Sequence, residues 1–239
     1  MSVFFNREVF PYRKLDEELQ EKYHVCLVQN ERISLPFFKL LFDKVFSAFI
    51  LTLFSPIIIL IFFGYFVEGC FSPGKGFWPL YYYDAVSEGK KFKKYKFRAF
   101  RLDVVDYTLY GKSDWRTYHV EWSLKDRTIF GGFVKKFYLD ELPQFYSVLI
   151  GQMSLIGPRP LATIHYEKEL QNGNLFRKFV RGGLLGLGHV RKGTAEMGDP
   201  RWDFEYMYQL LTASKVELFL LDLSIIKRGV RLMLKGEGL

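Results

Sequence analysis

From Val45 to Val67 the chain reads VFSAFILTLFSPIIILIFFGYFV without a charged residue, closed by Lys44 on one side and Glu68 on the other. At about 1.5 Å of rise per residue, a helix of that length is enough to cross a hydrocarbon layer about 30 Å thick. Core helices of soluble domains rarely stay apolar on every face for so long, so the run predicts a membrane element. Ser55-Pro56 stands at its midpoint. Proline removes a backbone donor and its ring clashes with the preceding turn, which predicts a sharp kink there. The serine hydroxyl can re-bond the broken turn. Both a kinked helix that still spans and a helix that leaves by the face it entered satisfy this pattern. Flanking charge favours the second. Arg32, Lys39 and Lys44 precede the run, and Lys90, Lys91, Lys93, Lys94, Lys96, Arg98 and Arg101 follow it, so the positive-inside bias holds both flanks in the cytoplasm. The run is not a secretory signal, because it lies well inside the chain and lacks a small-residue cleavage site.

Elsewhere the pattern is shorter-ranged. YHVCLVQ (23–29) reads as a short strand, and SPGKGFWP (72–79) as a turn with Trp78 and Tyr81–Tyr83 suited to an interface. KKFKKYKFRAFR (90–101) alternates basic and aromatic residues. As a strand it puts Phe92, Lys94, Lys96 and Arg98 on one face and Lys93, Tyr95 and Phe97 on the other. TYHVEWSL (117–124) is strand-like, whereas a helix is predicted from Asp140 to Ile150. A Gly/Pro loop over 151–160, a helix over 162–171 and a Gly-rich basic segment over 176–193 follow. A last helical pattern over 203–235 is amphipathic and ends in Lys227, Arg228, Arg231 and Lys235, like an element lying on an anionic surface. Together these predict an α+β fold, predominantly helical, in three parts. Residues 1–38 form a cytoplasmic extension, 39–71 a re-entrant anchor, and 72–239 a small cytoplasmic domain with interfacial amphipathic helices.

Composition narrows the function classes. Of 239 residues, 34 are Lys or Arg and 26 are Asp or Glu, a formal charge of +8 that favours anionic partners. An aromatic share of 18%, with 25 Phe and 15 Tyr, excludes a disordered chain. Two cysteines, Cys26 and Cys70, exclude a disulfide scaffold or a cysteine-rich zinc module and suit a reducing, cytosol-facing environment. His24, His119, His165 and His189 show no metal-ligand spacing, and neither a Walker loop nor a dinucleotide fingerprint is present. The basic-aromatic run over 90–101 has the chemistry of a single-strand nucleic-acid platform. Beside a membrane segment, a patch for anionic lipid headgroups is the better reading, so no nucleic acid is expected.

Two short blocks carry candidate chemistry. In Asp140-Glu141-Leu142-Pro143-Gln144, adjacent helical residues diverge by about 100°, so one carboxylate can face a substrate while its neighbour holds a metal or a hydrogen-bond network. A carboxylate can also act as a covalent nucleophile toward phosphorus. The bland alternative is an ordinary helix start, with Asp as cap and Pro in the first turn. Downstream, Gly157-Pro158-Arg159-Pro160 stiffens the backbone on both sides of one arginine, which suits a guanidinium to phosphate.

DELPQFYSVLIGQMSLIGPRP (140–160) resembles the signature of the bacterial sugar transferases, the monotopic phosphoglycosyl transferases. Weaker likenesses lie in KLLFD (39–43), Ser55-Pro56, KFRAF (96–100), the Arg181–Gly186 loop and Asp203-x-x-Tyr206. The resemblance covers about residues 36–235. It implies transfer of a sugar 1-phosphate from a nucleotide diphosphate sugar, expected to be a UDP-sugar, to undecaprenyl phosphate. UMP would be released and Mg²⁺ required, as the first membrane step of a surface glycan at the cytoplasmic face of a bacterial inner membrane. By position it implies Asp140 as nucleophile, Glu141 as Mg²⁺ partner, and Arg159, Lys96, Arg98, Lys135 and Arg181 as phosphate-binding residues. Pro158, Pro160, Asp203 and Tyr206 would support the loop, and Ser55 and Pro56 would break the anchor. Lys135 stands where the family usually has arginine, Gly182–Gly186 lacks the family's proline and threonine, and His189 stands near a usual glutamine. Those departures leave a non-catalytic membrane scaffold of the same fold as the alternative.

Overall fold

The computed structural model describes residues 15–108, 111–191 and 199–235. Two short helices, α1 (Glu17–Lys22) and α2 (His24–Leu27), open the described chain. Segment 23–29 is therefore mainly a helical turn, not the expected strand. Tyr23 and Cys26 drop into a core with Leu15, Ile33, Phe176, Val180, Phe204 and Met207, so packing across the chain overrides the local β-pattern. Residues 15–33 consequently belong to the folded body.

Helices α3 (Phe37–Leu53) and α4 (Ser55–Phe71) hold the uncharged run and meet at a bend of 54°. Pro56 occupies the first turn of α4, and the Ser55 hydroxyl donates to the Thr52 carbonyl at 2.7 Å, re-bonding the chain as it turns. Among the described residues no single helix is long and apolar enough to cross a membrane; the bent pair together is.

The pair is built inside out. Lys39, Asp43 and Ser47, spaced by four, are buried on one stripe of α3, while Leu41, Val45, Phe49 and Leu53 face outward. On α4, Tyr65 and Glu68 are buried while Ile59, Leu60, Phe63 and Phe66 are exposed. Contiguous exposed apolar surface of this kind marks an interaction face. Two residues of the buried stripe have polar partners. The Lys39 ammonium lies 2.6 Å from Asp222, and the Ser154 hydroxyl donates to Asp43.

Strands β1 (Leu80–Ser87) and β2 (Lys90–Phe97) form an antiparallel hairpin pairing Tyr83 with Lys94 and Tyr81 with Lys96. Glu88 and Gly89 turn it with φ of 52° and 70°, the positive pair that a tight two-residue hairpin needs. The expected alternation is present, with Phe92, Lys94, Lys96 and Arg98 all buried.

The chain from Trp115 to Trp122 forms 3-10 turns rather than the expected strand. Helix α5 (Ile129–Lys136) then leads to a 3-10 turn at Leu139–Glu141, and α6 (Gln144–Leu149) starts only after Pro143. The predicted helix over 140–150 is thus shorter and starts later, because Tyr138 takes a left-handed φ of 57° and Pro143 ends the 3-10 turn. Within the expected loop over 151–160 lies β3 (Ser154–Ile156). β4 (Leu161–Ala162) pairs antiparallel with β1, and α7 (Thr163–Gln171) follows as expected.

β5 (Gly183–Leu185) runs parallel to β3. The two segments approach so closely that a Cβ at Gly183 would stand 2.0 Å from the Gly157 nitrogen, which only glycine permits. The final helical pattern is two helices, α8 (Arg201–Thr212) and α9 (Lys215–Lys235). Ser214 and Glu217 form a reciprocal cap at the break, the Ser214 amide donating to Glu217 at 2.8 Å and the Glu217 amide to the Ser214 hydroxyl at 3.3 Å.

Lys39 and Asp222 are both almost fully buried and serve as each other's counter-charge. Lys39→Met is expected to cost about 3–5 kcal/mol, because Asp222 is then left as an unpaired buried charge. Adding Asp222→Leu should return most of that loss. Denaturation of the three variants in detergent or lipid measures it; equal stability of the single and double variants would contradict the pairing.

Candidate functional site

The site is built on the buried face of β2. Lys96 extends from the C-terminal end of the strand, and its ammonium lies among three carboxylates: 3.6 Å from Glu121, 3.7 Å from Asp140 and 3.4 Å from Glu141. Lys135, from the last turn of α5, closes the other side at 3.1 Å from Asp140 and in contact with Glu121. The Tyr81 hydroxyl donates to Glu121. The 3-10 turn at Leu139–Glu141 delivers Asp140 inward and Glu141 toward the opening. Asp140 is buried, while the side chains of Glu141 and Arg159 keep 29% and 36% of their exposure. Arg159 Nη2 stands 3.7 Å from Glu141 and forms the open wall.

Electrostatics divide the three acids. Burial lifts the Asp140 carboxyl above the usual aspartate range, against the pull of Lys96 and Lys135. At Glu141 burial also opposes the charge, but Lys96 and Arg159 overcome it and hold the group well below the carboxylate range. Glu121 is likewise buried, yet Lys96 and Lys135 bring it down to about 2. Glu121 is therefore a fixed counter-anion, Glu141 a permanent charge facing solvent, and Asp140 the carboxylate least satisfied as an anion. That residual basicity is what a nucleophile needs.

The Arg159 loop is held from behind. Arg177 donates to the Arg159 carbonyl at 2.7 Å, to Glu169 at 2.7 Å and to Asp203 at 2.5 Å. Gly183 donates its amide to the Pro158 carbonyl at 2.8 Å, and Pro160 lies against Gly182, where a Cβ would come within 2.5 Å of its ring. The Tyr206 hydroxyl sits 2.9 Å from Asp222 and 3.1 Å from the Ile156 carbonyl, just ahead of the loop. Asp203 and Tyr206 thus buttress the loop without entering the site.

Lys96, Lys135, Asp140, Glu141 and Arg159 come together; two of the expected phosphate-binding arginines do not join them. Arg98 is turned away, donating to the carbonyls of Trp78 at 3.1 Å, Lys75 at 2.8 Å, Gly76 at 3.0 Å and Phe100. It is a staple for the turn after α4. Tyr65 covers it, the guanidinium lying 4.8 Å from the ring centroid. Arg181 pairs with Glu88 at 3.4 Å beside the hairpin turn. Ser55 and Pro56 lie at the helix bend, as expected.

Sequence reasoning missed Glu121 and Arg177. Glu121 lies in the stretch 117–124, which reads as a strand but folds as 3-10 turns, so only the fold brings it to Lys96. Arg177 was visible only as one basic residue of a basic run. Tyr83, on β1, also faces these charges; burial raises its phenol, opposed by Lys96 and Arg159.

Known proteins resemble this chain over most of its length. The family described as bacterial sugar transferase matches residues 35–236. A UDP-glucose:undecaprenyl-phosphate glucose-1-phosphate transferase of Klebsiella pneumoniae is 31% identical over 95% of this chain and 48% of its own length. A UDP-galactose-lipid carrier transferase of Erwinia amylovora is 30% identical over 84% of this chain and 41% of its own length. An undecaprenyl-phosphate galactose phosphotransferase of Salmonella typhimurium is 29% identical over the whole of this chain and 46% of its own. The chain spans about half the length of such relatives. With the family match extending over most of its residues, the chain belongs to the bacterial sugar transferase family.

Proposed function

We propose that this chain transfers a sugar 1-phosphate from a UDP-sugar to undecaprenyl phosphate, with release of UMP, through a phosphosugar carried on Asp140. One observation supports this above the others: Asp140 and Glu141 stand side by side against Lys96, with Arg159 on the open wall. A carboxylate oxygen of Asp140 attacks the phosphorus that bears the sugar. The bond from that phosphorus to the nucleotide-side oxygen breaks, and its electron pair leaves with UMP. An oxygen of the lipid phosphate then attacks the same phosphorus, the bond to Asp140 breaks, and the carboxylate is restored. Lys96 and Arg159 offset the charge that would otherwise repel two anions from each other.

Among the described residues no three His, Cys, Asp or Glu side chains form a metal cage. Mg²⁺ commonly takes one or two carboxylates and completes its shell from substrate phosphates and water, so an adjacent Asp140 and a partly open Glu141 fit it. Glu141 would hold the ion, which when bound neutralises diphosphate charge.

The anchor is read as re-entrant from the cytoplasmic face of a bacterial inner membrane. The outward apolar faces of α3 and α4 suit surrounding lipid, the bend at Phe54 suits a return to the face of entry, and basic flanks suit anionic headgroups. Entry from that side puts a soluble donor and a lipid acceptor within reach of one site.

Membranes carrying the chain, supplied with undecaprenyl phosphate, Mg²⁺ and a UDP-sugar panel, should release UMP from at least one donor. Asp140→Asn should lower that rate by a factor on the order of 10⁴, the scale of losing an essential nucleophile. No release from any donor, or full activity in Asp140→Asn, overturns the reaction; donor binding without turnover favours the scaffold. The topology has its own test. Single cysteines at Ser34 and Gly74, both exposed, should be labelled from the cytoplasm alone. Labelling of Ser34→Cys from the opposite side contradicts the re-entrant turn.

A further inference from the structure

Two polar groups next to the acid pair have no task in the mechanism. Lys94 lies on the same buried face of β2 as Lys96, two residues or about 6.5 Å along the strand. Its side chain is only 2% exposed. Among the described residues it has no carboxylate within 4.0 Å and no hydrogen bond, whereas Lys96, Lys135 and Arg159 each face an acid. His189, in the 3-10 turn His189–Arg191, buries Nε2 without a partner. Its other ring nitrogen faces Gly186, where a Cβ would stand 3.2 Å away. Arg159 and Glu141 are the strongest charged neighbours of both Lys94 and His189.

Charge balance makes this arrangement informative. Lys96, Lys135 and Arg159 are set against Glu121, Asp140 and Glu141, which leaves Lys94 without a counter-charge, and burial beside the Arg159 cation pushes its amine well below the usual lysine range. An unpaired buried amine and an unpaired ring nitrogen lower stability with no return inside the chain. The return must arrive with a ligand, and the ligand group must be an anion that also accepts hydrogen bonds.

We propose that Lys94 and His189 Nε2 form an anion subsite beside Arg159 that takes a donor oxyanion other than the phosphoryl group being transferred. Two sources have that chemistry: the nucleotide-side phosphate of any nucleoside diphosphate sugar, and a carboxylate on an acidic sugar. The first would make Lys94 a binding residue for the leaving group; the second would make it a determinant of sugar choice. The subsite rests on the donor reading above, but it can stand or fall separately.

The probes are UMP, UDP-glucose, UDP-glucuronate and inorganic pyrophosphate, with binding to the full detergent-solubilised chain measured by calorimetry. Lys94→Met keeps the side chain's length and removes its charge. It should weaken the relevant probe at least tenfold while raising the thermal midpoint, because an unpaired buried polar group is gone. Lys94→Arg should retain most of the affinity, and His189→Ala should weaken the same probe. Loss for both UMP and UDP-glucose assigns the nucleotide-side phosphate. Loss confined to UDP-glucuronate assigns the sugar carboxylate. Lys94-dependent pyrophosphate binding in a chain that binds no uridine nucleotide keeps the subsite and removes the donor reading. Unchanged affinity of both variants for every probe, no binding of any probe to the unaltered chain, or a lowered midpoint for Lys94→Met overturns the proposal.

Discussion

A single lysine ammonium lying within 3.7 Å of three carboxylates organises this molecule. Charges brought together out of water stay together only if each is matched, since a buried ion left alone is far costlier than a buried pair. Lys96 and Lys135 match Glu121 and Asp140, and Arg159 matches the open side of Glu141. The match is incomplete at Asp140, where burial outweighs its cations, whereas Glu121 and Glu141 are held as anions. The same constraint explains why Lys96 packs inward from β2.

Polar links connect the bent helices to the site. Lys39 on α3 pairs with Asp222 on α9; Asp222 holds Tyr206 on α8; and Tyr206 reaches the Ile156 carbonyl, next to Gly157-Pro158-Arg159. Arg177 ties the Arg159 backbone to α7 and α8 from the other side. Two independent sets of buried charge thus fix one loop. Apart from Lys44, the outward surface of α3 and α4 carries no charge. Helices that are polar inside and apolar outside suit the re-entrant anchor proposed above.

Much of this was legible in the sequence where a periodic signal existed. The run from Val45 to Val67 and its Ser-Pro break are plain in the residue pattern, and the alternation in β2 places Lys94 and Lys96 on one face. Legibility failed where structure is local and irregular. Glu121 sits in 3-10 turns whose residue pattern reads as a strand, and β3 is three residues long and flanked by glycine. The α8–α9 break carried a capping signal in Ser214 and Glu217 that the longer amphipathic pattern obscured. Arg98 was misread for another reason: its position two residues after Lys96 gives it the right face, but the strand ends at Phe97 and its guanidinium meets four carbonyls instead of the cavity.

The most direct measurement is the intact mass of the purified chain after brief exposure to a reactive UDP-sugar and Mg²⁺ with no lipid acceptor, quenched in acid. A mass gain of one sugar phosphate, mapped by fragmentation to Asp140 and discharged when undecaprenyl phosphate is added before the quench, is the expected result. A chain that turns over donor to product yet never carries that mass, or carries it on another residue, would contradict the account.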